Sequence, residues 1–379
     1  MVDESRYLLK GGKKLRTGYT SGSCAAAASK AAAWMLKNQQ TLDCITIDTP
    51  KGWVLKLNVC KPSFNKIEAS CCIIKDSGDD PDITNGMEVW ATVSLNEDVK
   101  VSITGGPGVG KVTQKGLQIS VGHSAINPVP LLMIEQEIRS IYEEPQGVTV
   151  VIHLPEGEAL AKKTFNPKLG IIGGLSILGT SGIVEPMSED ALKDTITLEL
   201  KVLKEKGFTT VVLAPGNIGE KFLMNHFSMR SINMVKMSNY LGHALEQCVA
   251  LGFKRIILGG HLGKLIKPAG GIYYTHNRVS STRMEILTAN LVLLGMKNED
   301  LVAIMNCRTT DEAIEIITKT GMEEIYKLLA NKAADNCKAY CFDQLEIGVA
   351  LFSMKEFLAV SDDFEQIWGN IQDEYNENS

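Results

Sequence analysis

The first part of the chain combines one alanine-rich helical pattern with several short strand patterns. The alanine run over 23–34 favours a helix, because alanine loses no side-chain freedom there and the Ser and Thr residues before it supply N-cap oxygens. Polar and apolar residues alternate over 88–93, which is typical of a strand with one wet face. Similar β-like runs lie at 45–48, 54–59, 67–75, 88–95 and 99–103. We predict an α+β domain over residues 1–164, with a mixed or antiparallel sheet and helices.

From about residue 165 the pattern changes to strands that are followed by helices. Apolar runs at 209–214 and 255–258 predict buried parallel strands, each followed by a glycine-rich turn. Helical patterns lie at 189–206, 239–251 and 281–294. The region 298–379 is mostly helical in pattern, with a late apolar run at 347–352. We predict an α/β domain over residues 165–379, built as a doubly wound, Rossmann-like parallel sheet with a helical tail.

Length and charge narrow the range of functions. The 379 residues exceed what one hydrophobic core usually supports, which favours two domains. With 39 basic against 44 acidic residues, the net charge of -5 has the wrong sign for a broad nucleic-acid surface. The charged N-terminus is unlike a secretory signal, and no stretch supplies the roughly 20 apolar residues of a membrane span. We expect a cytoplasmic protein that binds neither nucleic acid nor membrane.

The cysteines give no sign of a metal site. There are nine, and none forms a CxxC pair or lies beside a His-x3-5-His pattern. Cys337 and Cys341 could share a helix face, but two thiolates are too few to close a tetrahedral zinc site. We therefore expect no protein-bound metal and interpret the cysteines as buried thiols in a reducing compartment.

A glycine-rich loop at Gly105–Lys111 is close to a phosphate-binding P-loop but differs at one position. The P-loop needs Ser or Thr directly after its lysine to hold Mg²⁺, and this chain has Val112 there, with Thr113 one residue later. A shift of one residue rotates a helical side chain by about 100°. We favour a glycine turn where backbone meets a ligand or another loop, and a phosphoryl transferase stays the alternative.

Three further segments are typical of ligand-binding backbone. The glycines of 170–186 let backbone approach a flat ligand, and Glu185 could accept hydrogen bonds from ribose hydroxyls. The turn at 215–220 follows a predicted buried strand, where open α/β sheets bind ligands. The hydroxyls and glycines of 17–24 precede the alanine helix, so either a bound anion or simple capping explains them.

Basic and titratable residues cluster after the predicted strand at 255–258. Two histidines, two lysines and one arginine lie within eighteen residues: His261, Lys264, Lys267, His276 and Arg278. A single histidine is normally structural, whereas this grouping beside a strand end predicts an electropositive, titratable site. A solvated loop is the alternative.

Eight motifs, taken in order, resemble the CbiD family. They are RTGYT at 16–20 with the alanine run, KDSGDDPDITNG at 75–86, GVG at 108–110, AINPVP at 125–130, the segment 174–188, PGN at 215–217, SNY at 238–240 and the segment 260–285. The matches extend from residue 16 to about 290. The resemblance implies methyl transfer from S-adenosylmethionine to ring carbon C1 of cobalt-precorrin-5B, giving cobalt-precorrin-6A in anaerobic cobalamin biosynthesis. Cobalt would then arrive inside the substrate, and a homo-oligomer is left open.

The motifs and the resemblance together assign three sets of site residues. Acid or base catalysis is assigned to His276 and His261. Binding of the cosubstrate is assigned to Gly174, Ser176, Gly179, Thr180, Glu185, Gly216 and Asn217. Substrate binding is assigned to polar and cationic residues that suit acetate and propionate arms: Thr20, Ser21, Ser23, Asn127, Lys264, Lys267, Arg278 and Arg283. The alternatives are a phosphoryl transferase that uses Gly105–Lys111 and a non-catalytic tetrapyrrole carrier.

Overall fold

The computed structural model describes residues 6–377, with side chains described for residues 6–375. The chain divides into two units, the first ending at Glu189 and the second beginning at Asp190. We predicted a boundary at 164/165, and the structure has it later, because residues 171–184 form strands that pair within the first unit. Both units combine helices and strands, which confirms the predicted mixture of α and β structure.

The first unit is built from short strands and one long buried helix. Its helices are α1 Ser21–Asn38, α2 Pro128–Arg139 and α3 Gly157–Ala161. Its strands are β1 Tyr7–Lys10, β2 Lys13–Arg16, β3 Gly18–Tyr19, β4 Cys44–Asp48, β5 Val54–Asn58, β6 Cys60–Phe64, β7 Glu68–Ile74, β8 Glu88–Asn96, β9 Val101–Gly105, β10 Gly108–Val109, β11 Lys111–Val112, β12 Gly147–His153, β13 Ile171–Ile172, β14 Gly174–Leu175 and β15 Ile183–Val184.

A five-stranded sheet forms the centre of the first unit, with the order β6-β7-β8-β12-β9. Its neighbours are antiparallel except for β12 and β9, which run parallel. Helix α1 packs against β7, β8 and α2, and its alanines are fully buried. The small alanine side chains let the helix backbone lie close to the sheet, so the alanine run that predicted a helix also determines its place in the core.

The glycine-rich loop at 105–112 forms strands rather than a P-loop. Lys111 begins β11, whereas the lysine of a P-loop begins a helix. Gly108 pairs with Gly174 of β14, and a Cβ on Gly174 would lie 2.0 Å from the carbonyl oxygen of Gly108. The favoured prediction, a glycine turn where backbone meets another segment, is therefore confirmed.

The second unit has the strand and helix alternation that the pattern predicted. Its strands are β16 Thr210–Ala214, β17 Met234–Lys236, β18 Arg255–His261, β19 Glu346–Phe352 and β20 Phe357–Val360. Its helices are α4 Glu189–Glu205, α5 Asn217–Phe227, α6 Leu241–Ala250, α7 Leu262–Ala269, α8 Arg283–Leu293, α9 Asn298–Met305, α10 Thr310–Thr320, α11 Glu324–Tyr340 and α12 Phe364–Glu377. Within the described residues, every helix is too short or too polar to cross a bilayer.

The five strands of the second unit form one sheet, with the order β17-β16-β18-β19-β20. The first four are parallel and β20 runs antiparallel to β19. The prediction of a helical tail is wrong for residues 346–360, because the apolar run at 347–352 is the buried strand β19. A strand that is buried on both faces lacks the alternation of polar and apolar residues that marks a strand with one exposed face. The apolar run alone therefore does not distinguish a buried helix from a buried strand.

Candidate functional site

The carboxyl ends of the parallel strands in the second unit form a natural site for a ligand. The chain leaves β16 toward β17 on one side and leaves β18 toward β19 on the other, so the connections diverge between β16 and β18. Open α/β sheets bind ligands at such a switch point. Three segments follow strand ends at this edge: residues 215–217, 237–239 and 261–264.

The turn after β16 leaves its backbone accessible. Gly216 is extended, with φ of 171°, and a Cβ placed on it would meet no atom within 4 Å. Asn217 then begins α5, and its Oδ1 accepts a hydrogen bond from Lys236 Nζ at 3.1 Å. The two predicted cosubstrate residues Gly216 and Asn217 therefore lie at the switch point, at a helix N-terminus whose dipole favours electronegative groups.

Lys264 lies in the first turn of α7, directly after β18. Its Nζ donates a hydrogen bond to Asn239 Oδ1 at 2.6 Å, and the backbone oxygen of Asn239 accepts from the N–H of Thr275 at 3.0 Å. Asn239 therefore connects the segment after β17, helix α7 and the segment 275–277. Burial lowers the pKa of Lys264, because a partly desolvated ammonium is less stable.

Lys267 follows one helical turn later and is fully buried. Its Nζ donates to the backbone oxygen of Thr275 at 2.6 Å and to Asn277 Oδ1 at 2.9 Å. Burial lowers the pKa of Lys267, and the neighbouring positive charges of Arg283 and Lys264 lower it further. We call Lys264, Lys267 and Arg283 the cation cluster.

The cation cluster has no compensating carboxylate among the residues that the structure describes. The Nε of Arg283 is buried without a hydrogen-bond partner. A buried donor that lacks a partner is costly, and closely spaced cations repel one another. Both costs fall when an anion binds, so the arrangement suits the carboxylates of an acidic ligand.

His276 lies at the end of the segment that Lys267 and Asn239 hold. Its Nδ1 accepts a hydrogen bond from the backbone N–H of Arg278 at 3.1 Å, so the neutral ring carries its proton on Nε2. Among the described residues, no hydrogen bond reaches that Nε2. His276 is half-buried and Arg278 is exposed. Both predicted residues are therefore available to a ligand.

His261 uses both ring nitrogens inside the second unit. It is the N-cap of α7, and its Nδ1 accepts from the N–H of Gly263 at 3.0 Å. Its Nε2 lies 3.1 Å from Asp311 Oδ2. These contacts hold the start of the helix that carries Lys264. In the described residues, no three His, Cys, Asp or Glu side chains group as a metal site.

In the first unit, the predicted helix N-terminus of α1 packs against the glycine-rich segment 176–182. Thr20 is the N-cap and accepts from the N–H of Ser23. The Ser23 hydroxyl donates to the backbone oxygen of Gly182 at 2.6 Å, and the N–H of Leu178 donates to Ser21 Oγ at 3.0 Å. All three hydroxyls are buried. Thr20 caps the helix, as the capping alternative predicts, whereas Ser21 and Ser23 bind the backbone of the segment 176–182 and do not cap the helix.

The other predicted residues of the first unit lie along the same segment. Gly174 is buried in β14, and Ser176 lies within 3.4 Å of Asn166 Nδ2. Asn127 donates through its backbone N–H to Ile177, and its side chain makes no capping hydrogen bond. Substrate and cosubstrate binding by this set stays a prediction.

The later residues of this segment differ in how much they are covered. Gly179 has φ of +133°, and a Cβ on it would lie 2.4 Å from Thr20 Oγ1. Thr180 is exposed, and Glu185 forms an ion pair with Lys51. Gly179 therefore serves the packing of the first unit, while Thr180 stays accessible.

Asn239, Thr275 and Asn277 are polar residues that the sequence did not assign to the site. Asn239 follows β17, which has only three residues, so its strand pattern does not stand out. The motif SNY at 238–240 marked the position without indicating a contact. Their role depends on Lys264 and Lys267, which reach them only when the helix and the loops pack together.

Comparisons with known proteins extend over both units. The CbiD family model matches residues 8–186, and the model of the CbiD C-terminal domain matches residues 274–362. A cobalt-precorrin-5B C(1)-methyltransferase of Alkaliphilus metalliredigens (strain QYMF) is 48% identical over 351 residues, which are 93% of each chain. The chain belongs to the CbiD family. The resemblance that the eight motifs indicated is confirmed.

Further relatives of this CbiD chain carry the same name. The cobalt-precorrin-5B C(1)-methyltransferase of Thermoanaerobacter sp. (strain X514) is 46% identical over 92% of this chain and 96% of the relative. That of Clostridioides difficile (strain 630) is 40% identical over 95% and 98%. A crystal structure of the cobalamin biosynthesis protein CbiD from Archaeoglobus fulgidus is 26% identical, covers 74% of this chain and 88% of that chain, and gives a TM-score of 0.40.

Proposed function

We propose that this CbiD protein transfers a methyl group from S-adenosylmethionine to carbon C1 of cobalt-precorrin-5B, giving cobalt-precorrin-6A in anaerobic cobalamin biosynthesis. The observation that carries the proposal is the 48% identity to a cobalt-precorrin-5B C(1)-methyltransferase over 93% of both chains. Cobalt is part of the substrate.

The chemistry of the substrate suits the cation cluster. The acetate and propionate arms of cobalt-precorrin-5B are anionic at neutral pH, and charge-assisted hydrogen bonds to carboxylates are strong. We assign recognition of these arms to Lys264, Arg283 and the exposed Arg278. Lys267 already donates to Thr275 and Asn277, so we assign it the positioning of that segment.

The switch point suits the cosubstrate. The open backbone at Gly216 and the start of α5 at Asn217 would hold S-adenosylmethionine, as turns at this place do in doubly wound, Rossmann-like sheets. When bound, S-adenosylmethionine supplies a methyl group on a positively charged sulfur. The protein's part is to hold and orient the acceptor carbon and to exclude water. Contacts from Gly174, Ser176, Gly179, Thr180 and Glu185 stay predictions.

The two histidines take different roles in this proposal. His276 offers the proton on its Nε2 to a substrate oxygen, because Nδ1 already accepts from Arg278. His261 contributes indirectly, since its contacts with Gly263 and Asp311 hold the start of α7 and with it Lys264. Neither arrangement assigns a general base.

The proposal is tested by product formation. Purified protein supplied with S-adenosylmethionine and cobalt-precorrin-5B should form one S-adenosylhomocysteine for each macrocycle consumed, without ATP or Mg²⁺. A phosphoryl transferase would require ATP, and a tetrapyrrole carrier would bind the macrocycle and form no S-adenosylhomocysteine. Either of those results from folded protein would contradict the proposal.

A further inference from the structure

The first unit contains a cavity of about 320 Å³ that none of the predicted site residues lines. The lining residues that decide its chemistry are Arg6, Arg16, Tyr19, Trp53, Lys56 and Asp76. We call this space the N-terminal cavity. Ligand pockets usually have roughly 300–1,000 Å³, so this volume admits one ring with short arms, or one edge of a larger planar molecule.

One wall of the N-terminal cavity is held by two backbone segments that cross at glycines. A Cβ on Gly18 would lie 2.3 Å from the backbone oxygen of Asp76, and a Cβ on Gly78 would lie 2.2 Å from that of Arg16. The Arg16 guanidinium donates to both carboxylate oxygens of Asp76, at 2.5 and 2.7 Å. Only glycine permits this approach, so the two segments pack backbone against backbone at this wall.

The lining of the N-terminal cavity offers cationic donors to a ligand. Lys56 is an exposed cation, and the Arg16 guanidinium is a second, which donates to Asp76, the one carboxylate among the lining residues, and also lies near the charge of Asp79. The hydrogen bond from Arg16 lowers the pKa of Asp76, so that carboxylate stays ionised and engaged. A guanidinium has five N–H donors, and Asp76 takes two from Arg16. The Arg16 side chain is 40% exposed, which leaves donors for a ligand.

The same lining offers two aromatic side chains, Tyr19 and Trp53. The Tyr19 hydroxyl donates to the backbone oxygen of Ile74 at 2.8 Å. The Trp53 backbone N–H donates to Thr49 Oγ1 at 3.1 Å, and Lys51 Nζ lies 4.9 Å from the Trp53 ring centroid. A flat ligand can pack against aromatic rings of this kind, and the hydrogen-bonded Tyr19 ring loses little freedom when it does so.

We propose that the N-terminal cavity binds a planar ring that carries carboxylates, as one edge of an acidic macrocycle does. The planar, anionic class of the ligand rests on the lining of the first unit itself. S-adenosylmethionine fits poorly, because its sulfonium and ammonium outweigh its single carboxylate and the cations of the lining repel it.

The test uses the full-length protein and uroporphyrin, a planar tetrapyrrole with carboxylate arms, as the probe. Lys56 is exposed on β5, and no hydrogen bond or ion pair of its ammonium occurs among the described residues. Lys56→Glu should therefore fold normally and weaken uroporphyrin binding by about 10-fold or more. Lys66→Glu makes the same charge change in the exposed hairpin between β6 and β7, outside the lining, and should bind as the wild type does.

A second variant tests the aromatic surface. Trp53→Leu should weaken uroporphyrin binding and remove most of the tryptophan quenching that the probe causes. Equal weakening by Lys56→Glu and Lys66→Glu, or unchanged binding in both Lys56→Glu and Trp53→Leu, would overturn the inference. Formation of S-adenosylhomocysteine by the wild type is measured separately, so failure of the proposed function is distinguishable from failure of this site.

Discussion

Lys264 is held in place before any substrate binds, because its ammonium donates to Asn239 at 2.6 Å. A cation that binds a carboxylate equally in the ground and transition states contributes to KM and leaves kcat unchanged. We expect Lys264→Ala to raise KM by about 10- to 100-fold, the range for one lost charge-assisted hydrogen bond. Steady-state kinetics should show no change for Lys254→Ala, an exposed lysine at the opposite end of β18. A lower kcat at unchanged KM would contradict the assignment.

The lysines of the cation cluster also predict a pH dependence. The pKa values of Lys264 and Lys267 are both lowered from the ordinary 10.5. Each ammonium therefore loses its charge as pH rises through a value below 10.5, and carboxylate binding weakens with it. KM for the acidic substrate should begin to rise in that alkaline range while the protein stays folded by circular dichroism. A KM that is constant up to pH 10.5 would show that the charge of Lys264 does not bind the substrate and that the charge of Lys267 does not position its segment for binding.

His276 is expected to act as a donor through Nε2–H. His276→Gln keeps an N–H donor and should retain most activity, whereas His276→Ala should lose about 10²- to 10⁴-fold in kcat/KM if the donated proton assists the reaction. The comparison is made at neutral pH with both variants checked for folding. Equal activity of His276→Ala and the wild type would make His276 a structural residue.

The sequence indicated the chemical character of these residues, but it did not indicate which atoms they contact. The grouping of His261, Lys264 and His276 indicated an electropositive site, and the structure connects Lys264 to the segment before His276 through Asn239 and Thr275. The two ring nitrogens of His261 contact Gly263 and Asp311, and Asp311 lies fifty positions away in the sequence. Spacing along the chain carries no information about such a contact.

At the scale of elements, the contact between α1 and the segment 176–182 gives a stability prediction. Ser21→Ala with Ser23→Ala removes hydroxyls that bind the backbone of Leu178 and Gly182 in a buried place. Each unsatisfied buried group costs about 1–3 kcal/mol, so the double variant should lower the free energy of unfolding by about 2–6 kcal/mol. Urea unfolding measures the loss. A rise in substrate KM without loss of stability would instead favour direct anion binding by these hydroxyls.

Helices and strands with a clear period of apolar residues were predictable from the sequence. Elements that are buried on both faces were harder to predict. The alanine run of α1 and the alternation in β8 each have one interpretation, and the structure has both elements. The run at 347–352 is apolar throughout, so its pattern suits a buried helix or a buried strand. In the structure, this run forms a strand because it pairs with β18 and β20 in the sheet, and such pairing is set by the tertiary fold.

At the scale of the whole molecule, two domains were predictable from length, but their boundary was not. Strands β13, β14 and β15 have two residues each, too few to show a period. Their partners β11, β10 and β3 lie far back in the chain, so their membership of the first unit depends on long-range pairing. The CbiD match to residues 8–186 ends just before this boundary.

Methyl transfer to carbon C1 is tested by locating the transferred methyl group in the product. The full-length protein is incubated with cobalt-precorrin-5B and S-adenosylmethionine labelled with ¹³C in its methyl group, and the isolated macrocycle is analysed by ¹³C NMR. We expect one labelled methyl group, attached to ring carbon C1, and an initial rate of labelling about 10- to 100-fold lower for Lys264→Ala at a substrate concentration far below its raised KM. A label on another ring carbon, or an unlabelled macrocycle from folded wild-type protein, would contradict this expectation.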